Sequence, residues 1–238
     1  KGVQMSESQD AEVTAQVRVA VVGVGGAGNN VITDMYDSLV PFHTIAVNTD
    51  KNALHLDTRA DEKIYICKEV LKGEGTHGDA SLGKKCAEIH EQELRKALSE
   101  YDYVFVVAGL GGGTGSGAAP VIINIAESLK CTVIAVVIKP FSLFEMSRAP
   151  VAAESLRKIK AVCRDVTVVE NDALLDTRPD VTINQAFRIM NNTIARFILR
   201  TMDGLNIHTA KLYENKKDGS DDRSVNVEDV PISAFMKV

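Results

Sequence analysis

"VFVVAGLGGGTGSGAAP", residues 104–120, joins an unbroken apolar run to a glycine-rich loop and then to the helical pattern "AAPVIINIAESLK" (118–130). A loop of this composition between strand and helix either turns the chain or lets the backbone wrap an anion. Its N–H groups, with the hydroxyls of Thr114 and Ser116, can donate to phosphate oxygens, and the dipole of the following helix favours negative charge. It is not a Walker A loop. In that register Gly112 and Gly117 are followed by Ala118 and Ala119, where lysine and a hydroxyl residue belong.

The same arrangement occurs earlier in the chain. "VRVAVVGVG" (17–25) reads as a buried strand entering a glycine turn, and "AGNNVITDMYDSL" (27–39) follows with helical spacing. Further strands are predicted at 43–50, 63–68, 102–110, 131–139 and 165–172. Helices are predicted at 81–101, 118–130, 149–163 and 182–205. In the first of these Leu82, Cys86, Ile89, Leu94 and Leu98 share one face, and Pro120 falls in the first turn of the second. Continuous apolar strands separated by amphipathic helices imply a doubly wound α/β domain, with a mostly parallel sheet and helices on both faces. It covers 17–205, between a polar, flexible leader (1–16) and a polar tail (206–238) able to form only a short docking strand. In such a sheet ligands bind beyond the carboxyl ends of the strands, where both glycine loops fall.

Composition narrows the function. Among 238 residues the formal net charge is −5, and no basic stripe is available to neutralise nucleic-acid phosphates. No apolar run approaches the roughly 20 residues that cross a bilayer, so membrane insertion is not expected. The four cysteines (Cys67, Cys86, Cys131, Cys163) are far apart without a CxxC pair, and the five histidines are dispersed. That spacing predicts neither a zinc site nor a disulfide framework, but packed, reduced thiols in a cytoplasmic protein.

"GVGGAGNN" (23–30) matches G-x-G-x-x-G through Gly23, Gly25 and Gly28, with Asp50 closing the next strand. Alone, this is the fingerprint of a dinucleotide site, with Asp50 for a ribose, and an NAD-dependent oxidoreductase would use it. Such an enzyme leaves "GGGTGSG" (111–117) idle. One nucleotide carrying several phosphates, held by both loops, gives each a task.

"GGGTGSG" is the tubulin signature. Together with "GVGGAGNN", "VNTD" (47–50), "AGLGGGTGSGAAP" (108–120) and "KPF" (139–141), it closely resembles the FtsZ branch of the tubulin family, in the correct order across 17–205. The resemblance implies a GTP/GDP site with Mg²⁺ carried on the phosphates and no protein ligand assigned to it. Gly25, Gly26, Ala27, Gly28, Asn29 and Asn30 would meet the α/β-phosphates. Gly112, Gly113, Thr114, Gly115 and Ser116 would cradle the β/γ end. The loop "KGEGTHGDASLG" (72–83), centred on Gly78 and Asp79, corresponds to the γ-phosphate-sensing loop, with His77, Ala80 and Ser81 departing from the usual pattern. Glu145 and Arg148 resemble the ribose and nucleotide contacts, at a spacing one residue shorter. Phe187 would stack on the purine while Asn171 and Asn191 address its edge.

Hydrolysis in this family depends on an N-x-D-x-x-D loop that a neighbouring subunit supplies. Here "NIHTAK" (206–211) places His208 and Lys211 at the acid positions. "NVEDVP" (226–231) offers Glu228, with Asp229 adjacent and Pro231 at the second acid. Neither carries both acids, so binding with weak or absent intrinsic hydrolysis is expected, in a self-associating protein or a modulator of a related polymer. The alternative is a competent, filament-forming GTPase whose acids come from the C-terminal tail, as Glu228 and Asp229, or from a partner. The 33 residues after the long helix cannot build the family's second domain, which leaves Ile194, Phe197, Ile198 and Met202 needing a partner, to be supplied by the C-terminal tail or another subunit.

Overall fold

Side chains alternate between the two faces of a strand, and in this sheet both faces are apolar. Along β1 (Val19–Val24), Ala20, Val22 and Val24 join one buried cluster while Val19 and Val21 join another. In β4 (Tyr103–Gly109), Val104, Val106 and Ala108 face the first cluster, and Phe105 and Val107 the second. Burial on both sides is why these strands read as continuous apolar runs. The structure, a computed structural model, describes residues 17–36, 42–68, 72–143, 145–178, 180–205 and 236–237.

The other strands are β2 (His43–Asn48), β3 (Glu62–Tyr65), β5 (Thr132–Lys139), β6 (Asp165–Glu170) and the two-residue β7 (Met236–Lys237). Their order in the sheet is β3-β2-β1-β4-β5-β6-β7; the first six are parallel, and β7 runs antiparallel to β6. This is the doubly wound, mostly parallel sheet predicted from the sequence. The first cluster is covered by α2 (Ala80–Ile89), α3 (Glu91–Leu98), α4 (Gly113–Ser128) and α5 (Ala149–Val162), through residues such as Cys86, Leu94, Ile122 and Ile159. The second is covered by α1 (Gly25–Tyr36), the short α6 (Asn171–Thr177) and α7 (Ile183–Gly204), through Met35, Leu174 and Ile194. No helix among the described residues is long and apolar enough to cross a membrane.

Four expectations are corrected. The helix predicted over 81–101 is two helices. At His90 the backbone leaves the helical region (φ −96°, ψ 18°) while its N–H still reaches the Cys86 carbonyl. The bend turns Leu94 and Leu98 onto the core and leaves Ile89 half-exposed, off the face it was assigned to. Second, α4 begins at Gly113, so Pro120 lies well inside it rather than in its first turn. Proline has no N–H for the Ser116 carbonyl one turn back. The buried Ser155 hydroxyl donates to that oxygen instead, at 2.8 Å.

Third, the α7 residues expected to need cover from the tail or another subunit are covered by the sheet. Ile194, Ile198 and Met202 are buried in the cluster that holds Val21 and Phe105, and Phe197 packs against it. At i, i+4 and i+8 they form one stripe, and the helix lays that stripe on the sheet.

Fourth, the thiols are not all reduced. Cys67, just beyond β3, and Cys86 on α2 are joined as a disulfide with Cα atoms 4.8 Å apart, while Cys131 and Cys163 are free and buried. A spacing of 19 residues carries no pairing signal; the fold makes the pair by laying α2 beside the end of β3. Burial pushes the Cys131 and Cys163 thiols above their ordinary pKa, which slows their alkylation in the native protein. Iodoacetamide applied to the denatured chain should therefore label two cysteines without reductant and all four after reduction. Four labelled without reductant would remove the bond.

Candidate functional site

Parallel pairing of β1 with β4 aligns Gly23 with Val107 and Val24 with Ala108, so the two strands end level. Their loops leave side by side at the point where the strand order reverses. α1 starts directly at Gly25, and α4 at Gly113 behind the cap residue Gly112, which supplies no side-chain cap. First-turn N–H groups have no partner within their own helix, and neither first turn holds an acidic residue. Two partly positive helix ends therefore open on the same space.

The loops touch through backbone. Gly25 has φ +71°, and a Cβ on it would lie 2.8 Å from the Gly115 nitrogen. Only glycine combines that left-handed conformation with that approach. Two further loops join through hydroxyls: Thr49 Oγ1 lies 2.6 Å from Thr114 Oγ1, which is 3.4 Å from Thr76 Oγ1, all three residues being buried. The loops after β1, β2, β3 and β4 are thus tied into one wall.

That wall borders a cleft of about 670 Å³. Gly25, Gly26, Ala27 and Asn30 line it from α1, and Gly112, Gly113, Thr114 and Gly115 from the start of α4. Glu145 and Arg148 also line it as an ion pair with each other, and the Glu145 carboxylate accepts from the Phe141 N–H at 3.0 Å. Asn171, Phe187 and Asn191 complete the lining among the residues singled out in the sequence. Phe187 is 42% exposed and packs edge to face with the buried Phe141, the ring centroids 5.4 Å apart.

Gly28, Asn29, Asp50, Gly78 and Ser116 do not line the cleft. Gly28 packs against Gly23 and the Val107 carbonyl. Asn29 is buried; its amide donates to the Gly23 carbonyl and its oxygen accepts from Asn48, joining α1 to β1 and β2. The Asp50 carboxylate accepts from the Ala53 N–H at the start of a π-helical turn, Ala53–Asp57. Gly78 provides a left-handed turn (φ +88°), and its neighbour Asp79 caps α2 through the Ser81 and Leu82 N–H groups. The Ser116 hydroxyl accepts from the Gly111 N–H and closes the second loop on itself. Glu228, Asp229, His208 and Lys211 lie outside the described residues.

The cleft also contains residues the sequence reading missed: Thr33 and Asp34 on α1, Thr76, Lys139 at the end of β5, and Asn184 and Arg188 on α7. Asp34 had a usable signal, since it lies one helical turn beyond Asn30 on the same face. Thr76 carried none, because its place depends on how its loop folds against α4.

Doubly wound topology with two glycine-rich helix ends at the switch point defines an α/β domain with an anion-receiving cleft. A sequence profile described as "Tubulin/FtsZ family, GTPase domain" matches residues 18–179. The chain belongs to the Tubulin/FtsZ family, whose members bind GTP and GDP. It is 39% identical over 182 residues to cell division protein FtsZ 2 of Halobacterium salinarum, covering 76% of this chain and 46% of that protein. Its fold is similar to the empty FtsZ dimer of M. jannaschii (TM-score 0.73, 34% identity, 77% of this chain and 54% of that one). It is also similar to the GTPgS-bound protofilament of CetZ2 from Haloferax volcanii (TM-score 0.70, 27% identity, 78% and 58%). The chain spans about half the length of the curated relatives it matches.

The two glycines at the start of α1 should respond differently to the same substitution. Gly25→Ala forces a left-handed alanine against Gly115 and should cost at least about 1–2 kcal/mol in urea unfolding. Gly26→Ala, with nothing within 4 Å of its Cβ, should change stability by less than about 1 kcal/mol. Equal losses would contradict the close approach of the two loops.

Proposed function

We propose that this chain binds GTP and GDP in the cleft, with Mg²⁺ carried on the phosphates, as the nucleotide-binding part of a self-associating cytoplasmic protein of the cell-division or cytoskeletal type. The observation that carries this reading is the convergence of two glycine-rich helix N-termini on a cleft that also holds a half-exposed aromatic ring and two carboxamides. Backbone N–H groups of Gly25–Gly28 and Gly113–Ser116 supply positive potential to the phosphates without a lysine. Asn29 and Gly28 hold that backbone in place from beneath. Glu145 accepts from ribose hydroxyls, Phe187 stacks on the base, and Asn171 and Asn191 address its edge. A bound Mg²⁺ offsets charge at the β/γ end.

Assembly is supported by the relatives: one solved structure is an FtsZ dimer and another a CetZ2 protofilament. Hydrolysis by these 238 residues alone is slow, because "NIHTAK" places an imidazole and an ammonium where the family's loop has acids. An ammonium cannot accept a proton from an attacking water. No basic stripe equips the chain for nucleic acid.

Calorimetric titration should show GTP and GDP binding at least about tenfold more tightly than ATP, a difference of about 1.4 kcal/mol. No heat with either guanine nucleotide would refute the proposal. GTP turnover should stay close to background as protein concentration rises. Turnover that rises with concentration and disappears on Glu228→Ala with Asp229→Ala would show instead a competent GTPase.

A further inference from the structure

Asn191, on α7, donates from Nδ2 to Asp34 Oδ2 on α1 at 2.7 Å, across 157 residues of sequence. Both residues line the cleft, Asn191 with 9% exposure and Asp34 at the surface. A carboxylate only accepts, so the atom of Asn191 that faces it must be the NH₂ group. Asp34 thereby settles which way the carboxamide points and directs Asn191 Oδ1 away from itself. A second buried acceptor lines the same cleft. Asn171 is 3% exposed, and its Oδ1 has no hydrogen-bond partner among the described residues. A buried acceptor left unpaired costs free energy until a ligand supplies a donor.

These groups have one polarity. The Asp34 carboxylate, Asn191 Oδ1 and Asn171 Oδ1 are all acceptors, and one of them carries a full charge. The hydrogen-bonding edge of guanine presents two adjacent donors, the ring N1–H and the exocyclic N2 amine. Adenine presents a lone pair at N1, which a carboxylate repels. Hypoxanthine keeps N1–H but lacks the N2 amine.

We propose that Asp34 is the specificity-determining residue of the base subsite: it positions the Asn191 carboxamide and accepts directly from the exocyclic N2 amine of guanine. This rests on the reading of the cleft as a guanine-nucleotide site. Asp34 has no part in phosphate chemistry. Its effect is confined to which base is held.

The test compares GDP with IDP, which differ only in that amine, by calorimetry on the full chain and on folded variants checked by circular dichroism and thermal unfolding. The unsubstituted chain should prefer GDP by about tenfold or more, as expected for a hydrogen bond to a charged acceptor. Asp34→Ala should lose that preference by bringing GDP affinity down to the IDP value, with IDP affinity changed less than about threefold. The charge-keeping variant Asp34→Glu, with its carboxylate at the same helix position, should retain part of the preference that Asp34→Ala loses. A folded Asp34→Ala that keeps the GDP/IDP ratio overturns the inference. Should Asp34→Ala not fold, Asp34→Asn alone provides the same comparison, because the exposed side chain keeps its size while losing its charge. If the unsubstituted chain binds neither nucleotide, the reading of the cleft itself fails. If it binds GDP with the amine preference and Asp34→Ala keeps that preference, only the role of Asp34 fails.

Discussion

Everything at the cleft depends on β1 and β4 being parallel neighbours at the centre of the sheet. Successive strands in the chain lead away from β1 on one side, and the later ones lead away from β4 on the other. The connections after these two strands therefore cannot cover each other, and they leave an opening between the helices they enter. Each helix starts within a few residues of its strand, so its first-turn amides are aimed by the sheet rather than by a flexible loop. Contact between Gly25 and the Gly115 backbone then fixes the spacing of the two helix ends. A side chain at that point would separate them.

The rest of the wall follows from buried polar groups that need partners in a tightly packed region. Asn29 is held between the Gly23 carbonyl and Asn48, so α1 cannot slide along β1 without breaking both bonds. Thr114, at the start of α4, shares its hydroxyl contacts with Thr49 and Thr76 from the loops after β2 and β3. On the far side of α4 the Ser155 hydroxyl compensates for the carbonyl that Pro120 leaves unpaired. Rigidity of this kind suits a site that works by holding a ligand in place.

Most of this was legible in the sequence, for a physical reason. Strands buried on both faces leave an unbroken apolar signature, and loops that admit an anion need glycine, so β1, β4 and the two glycine loops could be located directly. The unread features depend on contacts between distant residues. Cys67 meets Cys86 only after α2 is laid beside β3. Asp34 meets Asn191 only because α1 and α7 pack side by side on the same face of the sheet. The bend at His90 reflects the need to turn Leu94 and Leu98 inward, which a single helical periodicity conceals. Asn29, Asp50 and Ser116 were read as nucleotide contacts, and their side chains bond to the scaffold instead of lining the cleft.

The central claim is that two helix ends act as one receptor for a polyphosphate. Residue-resolved amide hydrogen exchange, with GTPγS and Mg²⁺ compared against guanosine alone, addresses it most directly. The account predicts that Gly25–Gly28 and Gly113–Ser116 become protected together with GTPγS, and that guanosine protects neither segment. Protection of one segment without the other, or of neither at saturating nucleotide, would contradict it.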